Sequence, residues 1–433
     1  MGMANGNYDN HDNCGAQLDA LGWPGVVGDG LHDDTTGLQA ALDGGARTVC
    51  LPRPPGHYSI SAALKLHSGQ TLQLDRSAVV RLADHGHAHM LTNADHERGN
   101  RGISVIGGIW DGNNAHQTCA YHETGAWQVP YDPARYLGVL LQFSNVEDLR
   151  IANLTLKDPE TFGVQMGNIR RFTVEDITFD YNLLRLNMDG IHVHGNSHQG
   201  RITNLKGNTN DDLVALNADD GSMFELSRGA ITDVTVDGVF AECGCTAVRL
   251  LSAGSPVSRV RLANIHGSYR YNVVSFTHHD VHPGEASVFE DIVLDGVFCS
   301  KPTGPLPGPL AGNEGGRATA PLIWVAPGTL VRGLHIRNMH RTEKYPGAPD
   351  SVVVDEGATV EYLGLSDVSL TNRTDTPLAL LRNAGTITAL NVSNAYLKAV
   401  GGAPRGCLIR NSGCIESKLL TNVAAENLAS VEE

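Results

Sequence analysis

The sequence predicts an all-β chain wound into a right-handed parallel β-helix, a solenoid with a short N-terminal capping helix. Three observations carry that expectation. A short apolar pattern recurs through most of the chain, apolar and polar residues alternate inside each copy, and every copy ends on a residue type that tolerates a left-handed backbone. The pattern, apolar-x-x-apolar-x-apolar-x-(Asn/Asp/Gly)-apolar, reads VEDLRIANL at 146, IRRFTVEDI at 169, ITDVTVDGV at 231, VSRVRLANI at 257 and FEDIVLDGV at 289. It returns as VRGLHIRNM at 331, VEYLGLSDV at 360 and ITALNVSNA at 387, with weaker copies at 202–205 and 420–423.

Alternation with period two is the mark of a strand with one buried face. The copies end at Asn153, Asp176, Asn204, Gly238, Asn264, Gly296, Asn338, Asp367, Asn394 and Asn422, where a sharp bend is expected. Asparagines stacked at such a corner would bond to one another along the axis. Copies at 146 and 169 start 23 residues apart, and those at 231 and 257 start 26 apart. That is too short for a strand-helix-strand unit of roughly 30 or more residues plus loops, but it suits one coil of a solenoid. Helical repeats of similar length are the rival, and the Gly-, Thr- and Val-rich segments lack helical spacing.

In chain order, GDGLHDDTTGLQAALDGG (28–45) offers Thr35 and Thr36 as N-caps, then Leu38, Ala41 and Leu42 at helical spacing. A helix here would cover the open end of the solenoid and its exposed strand edge. Strands are expected in TVCLP (48–52) and in TLQLDRSAVVRL (71–82). Two insertions, 113–137 with Trp127, Tyr131 and Tyr136, and the Pro- and Gly-rich 301–320, read as loops beside the working face. The whole chain, 1–433, is expected to form a single β-helix domain: cap 1–50, site-bearing coils 51–300 and C-terminal coils 301–433.

Composition excludes several classes. A net charge of −15 argues against nucleic acid and anionic membrane surfaces as partners, since both select for basic patches. No apolar run approaches the roughly 18 to 20 residues that cross a bilayer. The first residues, MGMANGNYDNHDNCG, have no basic segment or apolar h-region, so the expectation is either a cytoplasmic protein or an exported one whose leader has been removed. Eight dilute cysteines (14, 50, 119, 243, 245, 299, 407, 414) read as buried thiols rather than a disulfide scaffold or zinc site. Oligomeric state is not legible.

Chemistry concentrates in residues 187–221, NMDGIHVHGNSHQGRITNLKGNTNDDLVALNADDG, with Asp189, Asp211, Asp212, Asp219 and Asp220. In a parallel solenoid, residues one coil apart stack at about 4.8 Å. Asp189 and Asp211, 22 positions apart, would stack on adjacent coils with Asp212 beside them. Repulsion among three carboxylates holds at least one proton near neutral pH, which sets an acid beside a base. Glycosidic hydrolysis needs that arrangement. Two other readings stay open: aspartates beside Asn or Gly as plain coil corners, and a calcium site from Asp211, Asp212, Asp219 and Asp220. His192 and His194 alternate on one strand, and His85, His87 and His89 repeat the pattern; neither set is read as a metal site.

These motifs resemble glycoside hydrolase family 28, the polygalacturonases of the pectin-lyase-like superfamily. That family carries Asn-Thr-Asp-Gly and, about one coil later, Gly/Gln-Asp-Asp before an apolar strand. Asn187-Met188-Asp189-Gly190-Ile191 and Asn210-Asp211-Asp212-Leu213-Val214 match in order and separation, and GGIWDGN (107–113) and the opening GDGLHDDTTGLQAAL also fit. The resemblance covers roughly 25–300. It implies Asp211 as general acid, Asp189 and Asp212 as the pair that activates water in an inverting reaction, and no cofactor or metal.

Two family motifs are absent. Gly244-Cys245-Thr246-Ala247-Val248-Arg249 stands where Gly-His-Gly is expected, and Tyr271-Asn272-Val273-Val274-Ser275 where Arg-Ile-Lys is expected. Arg249, Arg270, His278 or His279 are the candidate replacements for binding a uronate. Asn187, Asn210 and Trp110 complete the expected substrate contacts, with Trp127, Tyr131 and Tyr136 as further stacking platforms. The expected function is therefore a glycoside hydrolase acting on a pectic or other plant-type carbohydrate. The same fold also hosts polysaccharide lyases, uronate epimerases, fructan-type transferases and non-catalytic glycan-binding modules.

Overall fold

Left-handed corners give the chain its shape. In a computed structural model that describes residues 22–119, 136–220, 228–278, 284–304, 320–402, 406–426 and 430–432, the predicted corner residues from Asn153 to Asn422 all have positive φ, from 52° at Asn264 to 84° at Gly296. Non-glycine residues rarely adopt this region, Asn and Asp most readily among them. The stacked amides bond along the axis as expected: Asn264 Nδ2 donates to Asp237 Oδ1 (2.7 Å), Asn394 to Asp367 (2.9 Å) and Asn422 to Asn394 (2.7 Å).

Among the described residues every strand pairing is parallel and joins successive coils, which makes the chain a right-handed parallel β-helix. One strand, Val164–Asp180, shows how a coil closes. It bends at Asn168 (φ 53°) and Asp176 (φ 57°) and so contributes to three faces. The alternation within each repeat then stacks apolar residues in axial columns. Val49, Leu72, Val105, Ile151, Val174, Ile202, Val236, Leu262 and Leu294 are successive register partners. All nine lie inside the coil, essentially shut off from solvent.

The helix forms over Thr35–Asp43 and buries Leu38, Ala41 and Leu42. Its N-cap is Asp34 rather than Thr35 or Thr36. The Asp34 carboxylate makes no capping bond and instead accepts from the amides of Val27 (2.6 Å) and Ser59 (3.2 Å), tying the helix to the preceding loop and the first coil. The stretch 71–82 is two strands, Thr71–Leu74 and Val79–Leu82, broken at a turn where Asp75 accepts from the Ser77 amide.

Trp110 requires a correction. It is fully buried as the register partner of Val80 and Leu156, because the alternation in Ile109–Asp111 turns it inward, so it offers no face to a sugar. Tyr136 is likewise buried, against His89. Trp127, Tyr131 and His279, and most of the two insertions, lie outside the described residues. The buried-thiol reading fits Cys119, Cys243, Cys245, Cys299 and Cys407, but Cys414 is exposed and Cys50 is disulfide-bonded. Among the described residues no helix is long and apolar enough to cross a membrane.

Candidate active site

The aspartates sit where one face of the coil begins. On this face two consecutive residues turn inward at the start of each strand: Leu213 and Val214, Ala247 and Val248, Val273 and Val274 all belong to the core. The same corner is visible at Gly190, where a side chain would strike the core ring of Phe179 at 2.5 Å. The residue just before each inward pair therefore points out of the coil. Asp189 and Asp212 hold that position, with Thr246 the register partner of Asp212 on the next rung.

Sequence spacing alone set Asp189 over Asp211. The structure shifts this by one: Ile191 pairs with Val214, and the Gly190 amide donates to the Asp212 carbonyl at 2.8 Å, so Asp189 stacks on Asp212. Asp211 precedes the strand, and its Oδ2 accepts from Asn187 Nδ2 at 3.1 Å. Asp189 and Asp212 are each only 3% exposed.

Burial and mutual repulsion decide the charge states. Burial, then the neighbouring carboxylates Asp212 and Asp189, push the Asp211 carboxyl well above the ordinary range. Burial raises Asp212 to about 7, with the Arg249 guanidinium pulling the other way. Arg249 comes from the next rung, with Nη1 3.9 Å from Asp212 Oδ2 and Nε donating to Thr277 Oγ1 at 3.2 Å. Burial also raises Asp189, but here the hydrogen bond and charge of His192 oppose it.

His192 is the residue that motif reading passed over. Its Nδ1 lies 2.7 Å from Asp189 Oδ2 and its Nε2 3.3 Å from Asp220 Oδ2, with Phe162 stacked on the ring at 4.4 Å. Burial alone would strip its proton, yet the bonds to Asp189 and Asp220 raise it to about 9. Burial also raises Asp220, but the bond and charge of His192 win and hold it far below the ordinary carboxylate range. His194, buried and beside the His192 charge, falls to about 3. The signal in the sequence was the pairing of DGIH with a second Asp-Asp downstream.

The calcium reading does not assemble. Both carboxylate oxygens of Asp219 are turned to the backbone, Oδ1 to the Gly229 amide (3.2 Å) and Oδ2 to that of Ser255 (2.6 Å). Among the described residues, the group that could hold a metal is His192, His194 and Asp220, with ligand atoms within 4.8 Å of one another. An ion there would displace the proton that His192 shares with Asp220.

Of the other expected contacts, Asn187 and Arg249 are brought to the carboxylates. Asn210 is buried, donating to the Arg185 carbonyl at 2.6 Å. Arg270 is fully buried and donates to Thr209 O (3.3 Å) and Asn210 Oδ1 (3.2 Å), so it braces the turn that carries Asp211 and does not reach outward. His278 lies at the far end of its strand, six residues beyond Asn272 of the carboxylate row and so roughly 20 Å along the sheet. Its distance from the aspartates removes it from the site.

Residues 99–228 match the model of glycosyl hydrolases family 28, a span that contains both aspartate motifs, and there the resemblance holds. No curated protein sequence matches the chain. Among solved structures, the fold is similar to PfbA, a surface adhesin of Streptococcus pneumoniae (14% identity, 92% of this chain and 90% of that one, TM-score 0.56). It is similar to the family 28 exopolygalacturonase of Yersinia enterocolitica (16%, 92% and 76%, TM-score 0.54). It is also similar to gene product 12 of bacteriophage phi29 in its pre-mature form (15%, 94% of this chain and 56% of that one, TM-score 0.63). At these identities the likeness is one of fold.

Proposed function

We propose that the chain is a glycoside hydrolase acting on an acidic, pectic-type glycan by carboxylate acid/base catalysis with inversion. One observation carries the reading: Asp189, Asp211 and Asp212 meet at one point on the outside of the coil, within the segment that matches family 28, all three raised by burial, with the neighbouring carboxylates adding to the rise at Asp211 and the His192 bond and charge opposing it at Asp189. Asp211 keeps its proton longest and gives it to the leaving glycosidic oxygen. Asp189, held against the His192 imidazolium, stays ionised and with Asp212 takes a proton from the attacking water. Water adds to the anomeric carbon as its bond to the leaving oxygen breaks, and Asp211 is left ionised. Arg249 is the cation placed to pair with a substrate carboxylate, in a site without the family's Arg-Ile-Lys motif.

The test is a screen of defined oligosaccharides with the native chain and Asp211→Asn, following product mass and anomeric configuration. Inversion in the parent and loss of turnover in the variant are expected. An unsaturated product absorbing in the ultraviolet would replace this reading with a lyase, retained mass with a changed linkage with a transferase, and binding without turnover with a non-catalytic module.

A further inference from the structure

We propose that the cleft at Arg382 and Arg410, on the same face as the carboxylates and several rungs further along the axis, anchors an acidic sugar residue of an extended glycan. The proposal rests on the preceding reading only in taking the ligand to be an acidic glycan.

The strand register carries it. One row on the outer side of this face runs through Arg249, Ser275, Trp324, Val353, Arg382 and Arg410, each the partner of the next on successive rungs, with Ser275 and Val353 buried between the four larger side chains. At about 4.8 Å per rung, Arg249 and Arg410 are roughly 24 Å apart. The row thus lays a cation beside the carboxylates, an aromatic two rungs on, and two more cations beyond, in a straight line parallel to the axis. An elongated polymer lying along this face would meet each in turn.

The far end is a cleft of about 300 Å³ whose lining includes Pro349, Asp350, Val353, Pro377, Arg382 and Arg410. Its acid is already committed: Asp350 Oδ1 accepts from the Ala379 amide at 2.7 Å, and both its oxygens face Arg410 Nη1, at 3.0 and 2.8 Å. Arg382 is differently placed. Its Nη2 donates one long bond to Asp355 Oδ1 at 3.4 Å, beyond the about 2.7 to 2.9 Å of a strong charge-assisted bond, its Nε lies 4.0 Å from Asp350, and its side chain is 44% exposed. Among the described residues the rest of its guanidinium fork faces no acid within bonding distance and can take a carboxylate. Asp355 also accepts the Trp324 indole N–H at 2.7 Å, which fixes that ring beside Arg382. A planar ring next to a guanidinium fork, with prolines on the rim, suits a pyranose that carries a carboxylate.

Binding to the full-length chain is measured by titration calorimetry in an Asp211→Asn background, with a galacturonate octamer, its methyl ester and a galacturonate trimer. Arg382→Gln is expected to weaken the octamer on the order of tenfold, as for loss of a hydrogen bond to a charged group, while the trimer and the esterified octamer are unaffected. Trp324→Ala is expected to weaken both octamers and spare the trimer. Octamer affinity unchanged in both variants, with melting temperatures equal to the parent's, overturns the proposal. So does failure of the parent to bind the octamer, or an equal loss for octamer and trimer. Turnover in Asp211→Asn would remove the hydrolase reading while leaving the cleft to be judged by these affinities alone.

Discussion

His192 offers the sharpest test of the electrostatics. Replacing it with glutamine removes a buried imidazolium from between Asp189 and Asp220. Its pKa stands near 9 against an ordinary 6.5, and a difference of that size corresponds to about 3 kcal/mol of stability. Because the folded value is the higher one, the contribution is present in full below pH 6.5 and is lost as pH rises through 9. Urea denaturation of the native chain and His192→Gln at several pH values between 6 and 9.5 should show a gap of about 3 kcal/mol at the acid end that closes toward the alkaline end. His194 titrates below this window in the folded state, and the measured gap includes what Asp189 and Asp220 lose when the His192 bond and charge are removed from them. A gap that stays constant across the range, or is absent at pH 6, would refute a charged His192.

Four further outcomes follow from the geometry. Asp211→Asn should reduce turnover by at least about 10²-fold, the usual worth of a general acid, with an unchanged melting temperature. Arg249→Gln removes the cation that holds Asp212 down, so the acidic limb of the rate profile should move to higher pH, read from kcat against pH on an acidic oligosaccharide. Trp110→Ala should cost about 3 to 5 kcal/mol in denaturation while oligosaccharide affinity stays unchanged, as expected for a core indole. Asn394→Ala, at a φ of 53° and with the bonds to Asp367 and Asn422 gone, should cost about 1 to 2 kcal/mol, and glycine there should recover part of it.

The coil was legible because its determinants are local. Alternation sets which residues face inward, and Asn, Asp or Gly at a fixed offset sets the bend, so Asn153 through Asn422 could be placed without knowing what they touch. The acid cluster was legible for the same reason, since one coil length brings motif onto motif. The error of one residue, Asp189 over Asp212 rather than Asp211, arose where the face begins with two inward residues and period two fails. The misplaced Trp110 shows the converse, because a motif position was preferred to the alternation that buries it. The part played by His192 had a local signal, since DGIH sets it three residues from Asp189 with a second Asp-Asp downstream. The Trp324 row had none, because its rungs are set by register across loops of unequal length, which no local pattern encodes.

That inequality has a consequence of its own. The chain between Asp212 and its partner Thr246 is longer than the chain between Asp189 and Asp212, yet both pairs are separated by a single step of the same backbone ladder. Reach between working groups is fixed by main-chain pitch and is indifferent to how much polypeptide is spent on the excursion between them. Loops around the mouth can therefore lengthen, shrink or be exchanged through descent, changing which glycan is admitted, while the spacing of the acids that would act on it is inherited intact.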